Sequence, residues 1–196
     1  MTKTERNDGS SMEIAVYSGS FNPLHIGHLA IMKHMIDIDG FDMVYLIVSP
    51  KNPLKEGISS ASGHDRYHSA VEAVTRHFKE RVKVDDIELM MPEPHYTIRT
   101  LDALKEREAE NSFTLIMGAD NLADIRRWKD YRRILTEFGV AVYPREGFDL
   151  ETVKADLLNE NKDYKIDILN APMVDISSTE IRKGIAAGKD MSRYLM

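Results

Sequence analysis

Apolar residues along this chain fall into short continuous runs, and between the runs they return every three or four positions. Ile14-Ala15-Val16-Tyr17, Met43-Val44-Tyr45-Leu46-Ile47-Val48, Phe113-Thr114-Leu115-Ile116-Met117, Val140-Ala141-Val142-Tyr143 and Lys165-Ile166-Asp167-Ile168-Leu169 are of strand length. Such runs suit strands buried on both faces of a parallel sheet. Val82, Val84, Ile87 and Leu89 predict one more strand, kinked at Asp85-Asp86. Helical spacing appears at Leu29-Ala30-Ile31-Met32 with Met35 and Ile36, and again at Tyr67, Ala70, Val71, Val74 and Phe78. A helix from Ile98 to about Glu110 turns Leu101 and Leu104 inward, with Thr97 as its cap. Short helical pieces at 121–127 and 131–138 surround Trp128, and a polar helix spans Leu150 to Asn161. Ile176 to Thr179 opens a last helix, Glu180 to Ala187, which Gly188 ends.

Strands alternating with helices imply an α/β fold: a Rossmann-like doubly wound parallel sheet in a single domain over residues 13–196, behind a polar, disordered leader, 1–12. Ligands of such sheets bind beyond the carboxyl ends of the strands. The distinctive segments of this chain all lie at those ends: 19–28, 49–55, 118–120, 144–147 and 176–182.

Composition narrows the function classes. The chain has 196 residues and no cysteine, which removes disulfides, thiolate metal sites and cysteine nucleophiles and fits a reducing cytoplasm. Its apolar runs are too short to span a bilayer, so no membrane partner is expected. A net charge of −6 argues against nucleic acid as a partner, and an anionic substrate then needs locally placed cations or amides.

The chemistry concentrates in Gly19-Ser20-Phe21-Asn22-Pro23-Leu24-His25-Ile26-Gly27-His28, read as strand, tight loop and helix start. Gly19 permits a sharp turn and close ligand approach. Gly27 leaves backbone N–H groups at the helix start free to face an anion. His25 and His28 aim at one place above the strand end. They suit a nucleotide phosphate better than a metal, because no third ligand lies nearby in sequence. The plain alternative is that one of them only caps its helix.

These residues carry a family resemblance. The loop resembles the G-x-F-x-P-x-H-x-G-H signature of the nucleotidyltransferase superfamily, and Ile176-Ser177-Ser178-Thr179-Glu180-Ile181-Arg182 resembles its I-S-S-T-x-I-R signature. Gly118-Ala119-Asp120 followed by Trp128, and Tyr96-Thr97 before Thr100-Leu101, resemble the bacterial nicotinate-nucleotide adenylyltransferases. Asn22 and Leu54 depart from the Asp and His of many relatives.

The resemblance implies adenylyl transfer from ATP to nicotinate mononucleotide, with Mg2+ arriving on ATP. It assigns charge stabilisation to His25, His28 and Arg182. ATP contacts fall to Gly19, Ser20, Phe21, His25, His28, Gly118, Asp120, Ile176, Ser178 and Arg182. Mononucleotide contacts fall to Asn22, Lys55, Thr97, Trp128, Lys129 and Arg145. Asp120 would take a ribose hydroxyl pair, or else cap the following helix. Trp128 would stack on the pyridine, or else pack between two helices. Amides near Thr97 and Lys129 would hold the nicotinate carboxylate. Nicotinamide mononucleotide or phosphopantetheine as acceptor, a non-catalytic nucleotide-binding regulator, and a homo-oligomer stay open at this point.

Overall fold

A computed structural model describes residues 11–50, 62–171 and 176–196. Its strands are β1 (Glu13–Gly19), β2 (Met43–Val48), β3 (Val82–Asp85), β4 (Ser112–Gly118), β5 (Val140–Tyr143) and β6 (Ile166–Ile168). All pair in parallel, in the order β3-β2-β1-β4-β5-β6. Strand order reverses between β1 and β4, so the loops that follow these two strands leave toward opposite faces and open a crevice between them. The runs of β1, β2, β4 and β5 are buried on both faces, as their continuity predicts, whereas in the edge strand β6 Asp167 is exposed.

The central strands β1, β2, β4 and β5 split their side chains between two cores. Ala15, Tyr17, Leu46 and Val48 face α1 (Ile26–Asp37) and α2 (Gly63–His77), where Met32, Met35, Ala70 and Val74 meet them. Ile14, Val16, Tyr45 and Ile47 face α4 (Thr97–Arg107), which supplies Ile98, Leu101 and Leu104. On that second face lie also α5 (Ala119–Ala123), the 3-10 turn Ile125–Arg127 and α7 (Leu150–Glu160). Between them, α6 (Tyr131–Arg133) widens into a π turn, Ile134–Phe138, and Gly139 leaves it at φ +84°. The domain's contacts begin one residue before the expected boundary, because Met12 N–H donates to Asn111 Oδ1 at 3.0 Å.

Several local expectations are corrected. Ile87 and Leu89 do not continue a kinked strand: β3 stops at Asp85, and Ile87–Met90 forms a single turn, α3. Asp85 causes the change. Its carboxylate accepts the Ile87 N–H at 3.1 Å and is itself held by Arg107 at 2.6 Å and Lys83 at 3.2 Å. It is buried, not a solvated strand end. Thr97 does not cap α4; Tyr96 occupies the N-cap without a side-chain bond, and the helix ends at Arg107. The last helix, α8 (Ser178–Ala186), is capped by Ser177, whose hydroxyl accepts from Glu180 N–H while the Glu180 carboxylate receives Ser177 N–H. Gly188, at φ +72°, sits just past its end, as read from the sequence.

Leu101 is fully buried between α4 and the sheet. Leu101→Ala should lower the unfolding free energy by about 3 kcal/mol, read from denaturant midpoints at unchanged slope.

Candidate active site

β1 delivers its chain into the crevice at Gly19. A Cβ at this position would lie 3.0 Å from Phe21 Cζ, and the glycine's own φ is outside the left-handed region. So Gly19 leaves room for a ring and does not make the turn. The left-handed backbone belongs to Phe21, at φ +43°. This conformation is costly for an aromatic residue, and the packing of its ring offsets the cost. The buried ring stands edge-on to Tyr17 at 5.3 Å and to His28 at 5.1 Å.

α1 begins with a reciprocal cap built from the two histidines. His25 is the N-cap, and its Nδ1 accepts Gly27 N–H at 3.2 Å. Nδ1 of His28 in turn accepts His25 N–H at 3.2 Å. Gly27 N–H is therefore not free for an anion, contrary to the sequence expectation. An Nδ1 that accepts cannot carry a proton, so each neutral ring keeps its proton on Nε2. The rings lie almost in register, with centroids 3.7 Å apart. Burial, with the Arg145 charge second, lowers His25 to about 4. Burial, then His25 and then Arg145, holds His28 well below the usual histidine range. Near neutral pH the pair thus presents two uncharged N–H donors.

Arg145, in the loop after β5, brings the cation. It pairs with Asp120 at 3.2 Å and lies over the Tyr143 ring at 5.6 Å. Asp120 sits in the first turn of α5 and is not its N-cap, which is Gly118. A Cβ at Gly118 would fall 2.5 Å from Asp120 Oδ1 and 2.8 Å from Arg145 Nε, so only glycine allows this pair to form over the end of β4. Asp120 and Arg145, read from the sequence as belonging to different substrates, are brought together here.

Ser178 and Arg182 reach the loop by another route than expected. They do not stand free in the crevice: Ser178 Oγ donates to Pro23 O at 3.0 Å, and Arg182 donates to Asn22 O at 2.7 Å. The second signature thus holds the first by its backbone. The tail reinforces it, since Leu195 forms an antiparallel bridge with His25. Ile176 is half-buried just before α8, and Ser20 is exposed on the loop.

Trp128 and Thr97 belong to elements packed on the second face of the sheet. Trp128 closes the 3-10 turn Ile125–Arg127, half-buried against the core that Ile125 enters. Thr97 is the first residue of α4, and Lys129 is exposed and paired with Asp130 at 3.8 Å. Lys55, with Lys51 and Leu54, lies outside the described residues.

Two residues of the site escaped the sequence reading. Arg66 is buried and donates to three carbonyls at the ends of β1 and β2: Ser20 O at 2.6 Å, Ser49 O at 2.8 Å and Pro50 O at 2.9 Å. The available signal was its phase, because Arg66 falls on the stripe of Ala70, Ala73 and Val74 in α2. Glu88 is also buried; reading 82–89 as a strand with Ile87 and Leu89 inward put it on the outside.

Comparison with known proteins adds three findings. The cytidylyltransferase-like family matches residues 16–184. A probable nicotinate-nucleotide adenylyltransferase of Flavobacterium psychrophilum is 39% identical over 94% of this chain and 92% of its own. One of Bacteroides fragilis is 37% identical over 92% of this chain and 85% of its own. Among solved structures, Plasmodium falciparum nicotinic acid mononucleotide adenylyltransferase complexed with APC shares the fold at a TM-score of 0.74. It is 20% identical over 94% of this chain and 90% of that one.

The depressed histidines set an acid limb on stability. Below the free-histidine value of 6.5 the unfolded chain takes up protons that the native pair refuses until about 4 for His25. Stability should therefore fall as pH drops from 6.5 toward 4, and His25→Asn should flatten that limb in denaturant titrations at stepped pH.

Proposed function

The chain belongs to the cytidylyltransferase-like family and, within it, to the nicotinate-nucleotide adenylyltransferases. From this premise we propose that it transfers the adenylyl group of ATP to nicotinate mononucleotide, giving nicotinate adenine dinucleotide and pyrophosphate in NAD biosynthesis. The observation that supports the reading is the reciprocal histidine cap beyond the end of β1, in which both Nδ1 atoms accept backbone N–H groups and each neutral ring keeps its N–H on Nε2.

The acceptor phosphate is already anionic, so the reaction needs no general base. One of its oxygens forms a bond to the α-phosphorus of ATP as the α–β phosphoanhydride bond breaks, and pyrophosphate leaves with the electron pair. Catalysis then rests on alignment and on stabilising charge at the α-phosphate. The Nε2–H donors of His25 and His28 supply hydrogen bonds without adding a charge that would bind the ground state equally well. Arg145 sets a positive potential beside them in an otherwise acidic protein. Arg182 and Ser178 hold the loop carbonyls, and the closed loop gives the ATP tail its seat. Asp120 offers its carboxylate to a ribose hydroxyl pair.

On the acceptor side Trp128 presents a flat ring for stacking on the pyridine, and amides near Thr97 and Lys129 meet the nicotinate carboxylate. Lys55 and Asn22 complete the phosphate contacts of the mononucleotide. Magnesium enters on ATP, held by phosphates and water. Among the described residues no helix is long and apolar enough to cross a membrane, which suits a cytoplasmic site for both substrates.

Pyrophosphate release with ATP tests the reading, using nicotinate mononucleotide, its amide counterpart and phosphopantetheine in parallel. Turnover should be fastest with the acid, and equal rates with the amide would overturn the substrate. His28→Ala should lower kcat about 100-fold and leave the KM for the mononucleotide almost unchanged. Trp128→Ala should raise that KM about tenfold, with a smaller effect on the KM for ATP.

A further inference from the structure

Three elements approach the crevice from different parts of the chain, and their side chains meet at one buried carboxylate. Glu88, on the single turn α3, is 2% exposed. Thr100 Oγ1, in the first turns of α4, donates to its Oε1 at 2.8 Å. Ser49 Oγ, at the end of β2, donates to its Oε2 at 2.5 Å. Ser18 Oγ, one residue before Gly19, lies 3.5 Å from Oε1 and 3.0 Å from Ser49 Oγ. No cation is paired with Glu88 among the described residues, in contrast to Asp85 on the neighbouring strand, which has both Lys83 and Arg107. A buried carboxylate without a counter-ion costs several kcal/mol unless its oxygens are fully hydrogen-bonded. An apolar side chain would avoid that cost but would leave the Thr100 and Ser49 hydroxyls without their acceptor, so the carboxylate and the hydroxyls of three separate elements depend on one another.

We propose that Glu88 is a positioning residue that fixes the donor side of the crevice relative to the acceptor side. Ser18 leads into the loop that carries His25 and His28. Ser49 directly follows β2, the neighbour of β1 in the sheet. Thr100 lies one helical turn beyond Thr97. Rotation or translation of any one of these elements breaks its hydrogen bond to the shared carboxylate. From the opposite side Arg66 donates to the carbonyls of Ser20 and Ser49, so the ends of β1 and β2 are held both above and below. The inference rests on the adenylyl-transfer reading, because it concerns the distance between the acceptor phosphate and the α-phosphate of ATP. In that reading each substrate takes most of its contacts from one side. In-line attack needs both sides in one geometry, and a misplacement of about 1 Å there can cost two orders of magnitude in rate.

The test is Glu88→Gln in the full-length protein. The amide keeps the shape but replaces one acceptor by a donor, so the three hydroxyls can no longer all donate to it, and the one facing the amide nitrogen must turn round. The expected result is a fall in kcat of about tenfold or more, with the Kd for ATP alone and the KM for the mononucleotide each within about twofold of wild type. Glu88→Asp keeps the charge and withdraws the carboxylate by one methylene, and kcat should again fall while both binding constants hold. A role confined to fold stability would lower the melting temperature and leave kcat per active site and both constants in place, which overturns the proposal. Full turnover in Glu88→Gln beside an active wild type overturns it as well. No turnover in the wild type overturns adenylyl transfer itself, and this inference with it.

Discussion

Two imidazole nitrogens capping the first turn of α1 are the contact on which the rest of the site depends. A helix start leaves its first N–H groups without partners. Here ring nitrogens of His25 and His28 satisfy two backbone N–H groups and in doing so fix which nitrogen of each ring bears the proton. The cap therefore also sets the tautomer of each ring. A serine in place of His25 would cap the helix and bring no ring N–H. Of the two sequence readings, cap or ligand, the fold shows the cap for both rings.

The remaining loop structure serves to keep that cap in place. Phe21 accepts an unfavourable backbone so that its ring can brace His28 and Tyr17, and Gly19 leaves the space that ring fills. Arg182, Ser178 and Arg66 all spend their donors on backbone carbonyls of this region. A loop at the end of a strand exposes carbonyls that no sheet partner can satisfy. Supplying donors from α2 and α8 ties it to two helices distant in sequence and rigidifies the anion seat. In this acidic protein Arg66, Arg145 and Arg182 thus gather at the carboxyl edge of the sheet, where Asp120 pairs with Arg145.

Much of this was readable from residue order. Continuous apolar runs of strand length can only be buried on both faces, and that requirement gives the parallel sheet, the helices on either side and the end at which the site opens. The two signature segments stood out because polar residues of those types at strand ends have no role in a core, and the fold brings them into contact through Ser178 and Arg182. Periodicity failed at Asp85-Asp86. Apolar residues at alternate positions look the same in a strand and in one helical turn that half-buries them and buries the residue between. The hydrogen bond from Ile87 N–H to Asp85 that decides between them leaves no trace in the pattern.

Local sequence therefore determined the elements, their order and the residue types available for phosphate chemistry. Tertiary structure decided what those residues touch. It turned Arg182 and Ser178 onto the loop carbonyls, paired Asp120 with Arg145, and buried Arg66 and Glu88 beneath the crevice. The physical reason is separation along the chain. Periodicity reports the environment of a residue averaged over its own helix or strand. A hydrogen bond between Arg182 and Asn22 joins residues at opposite ends of the protein, and it forms only because the parallel sheet sets β1 beside β4 and leads α8 back across its carboxyl edge.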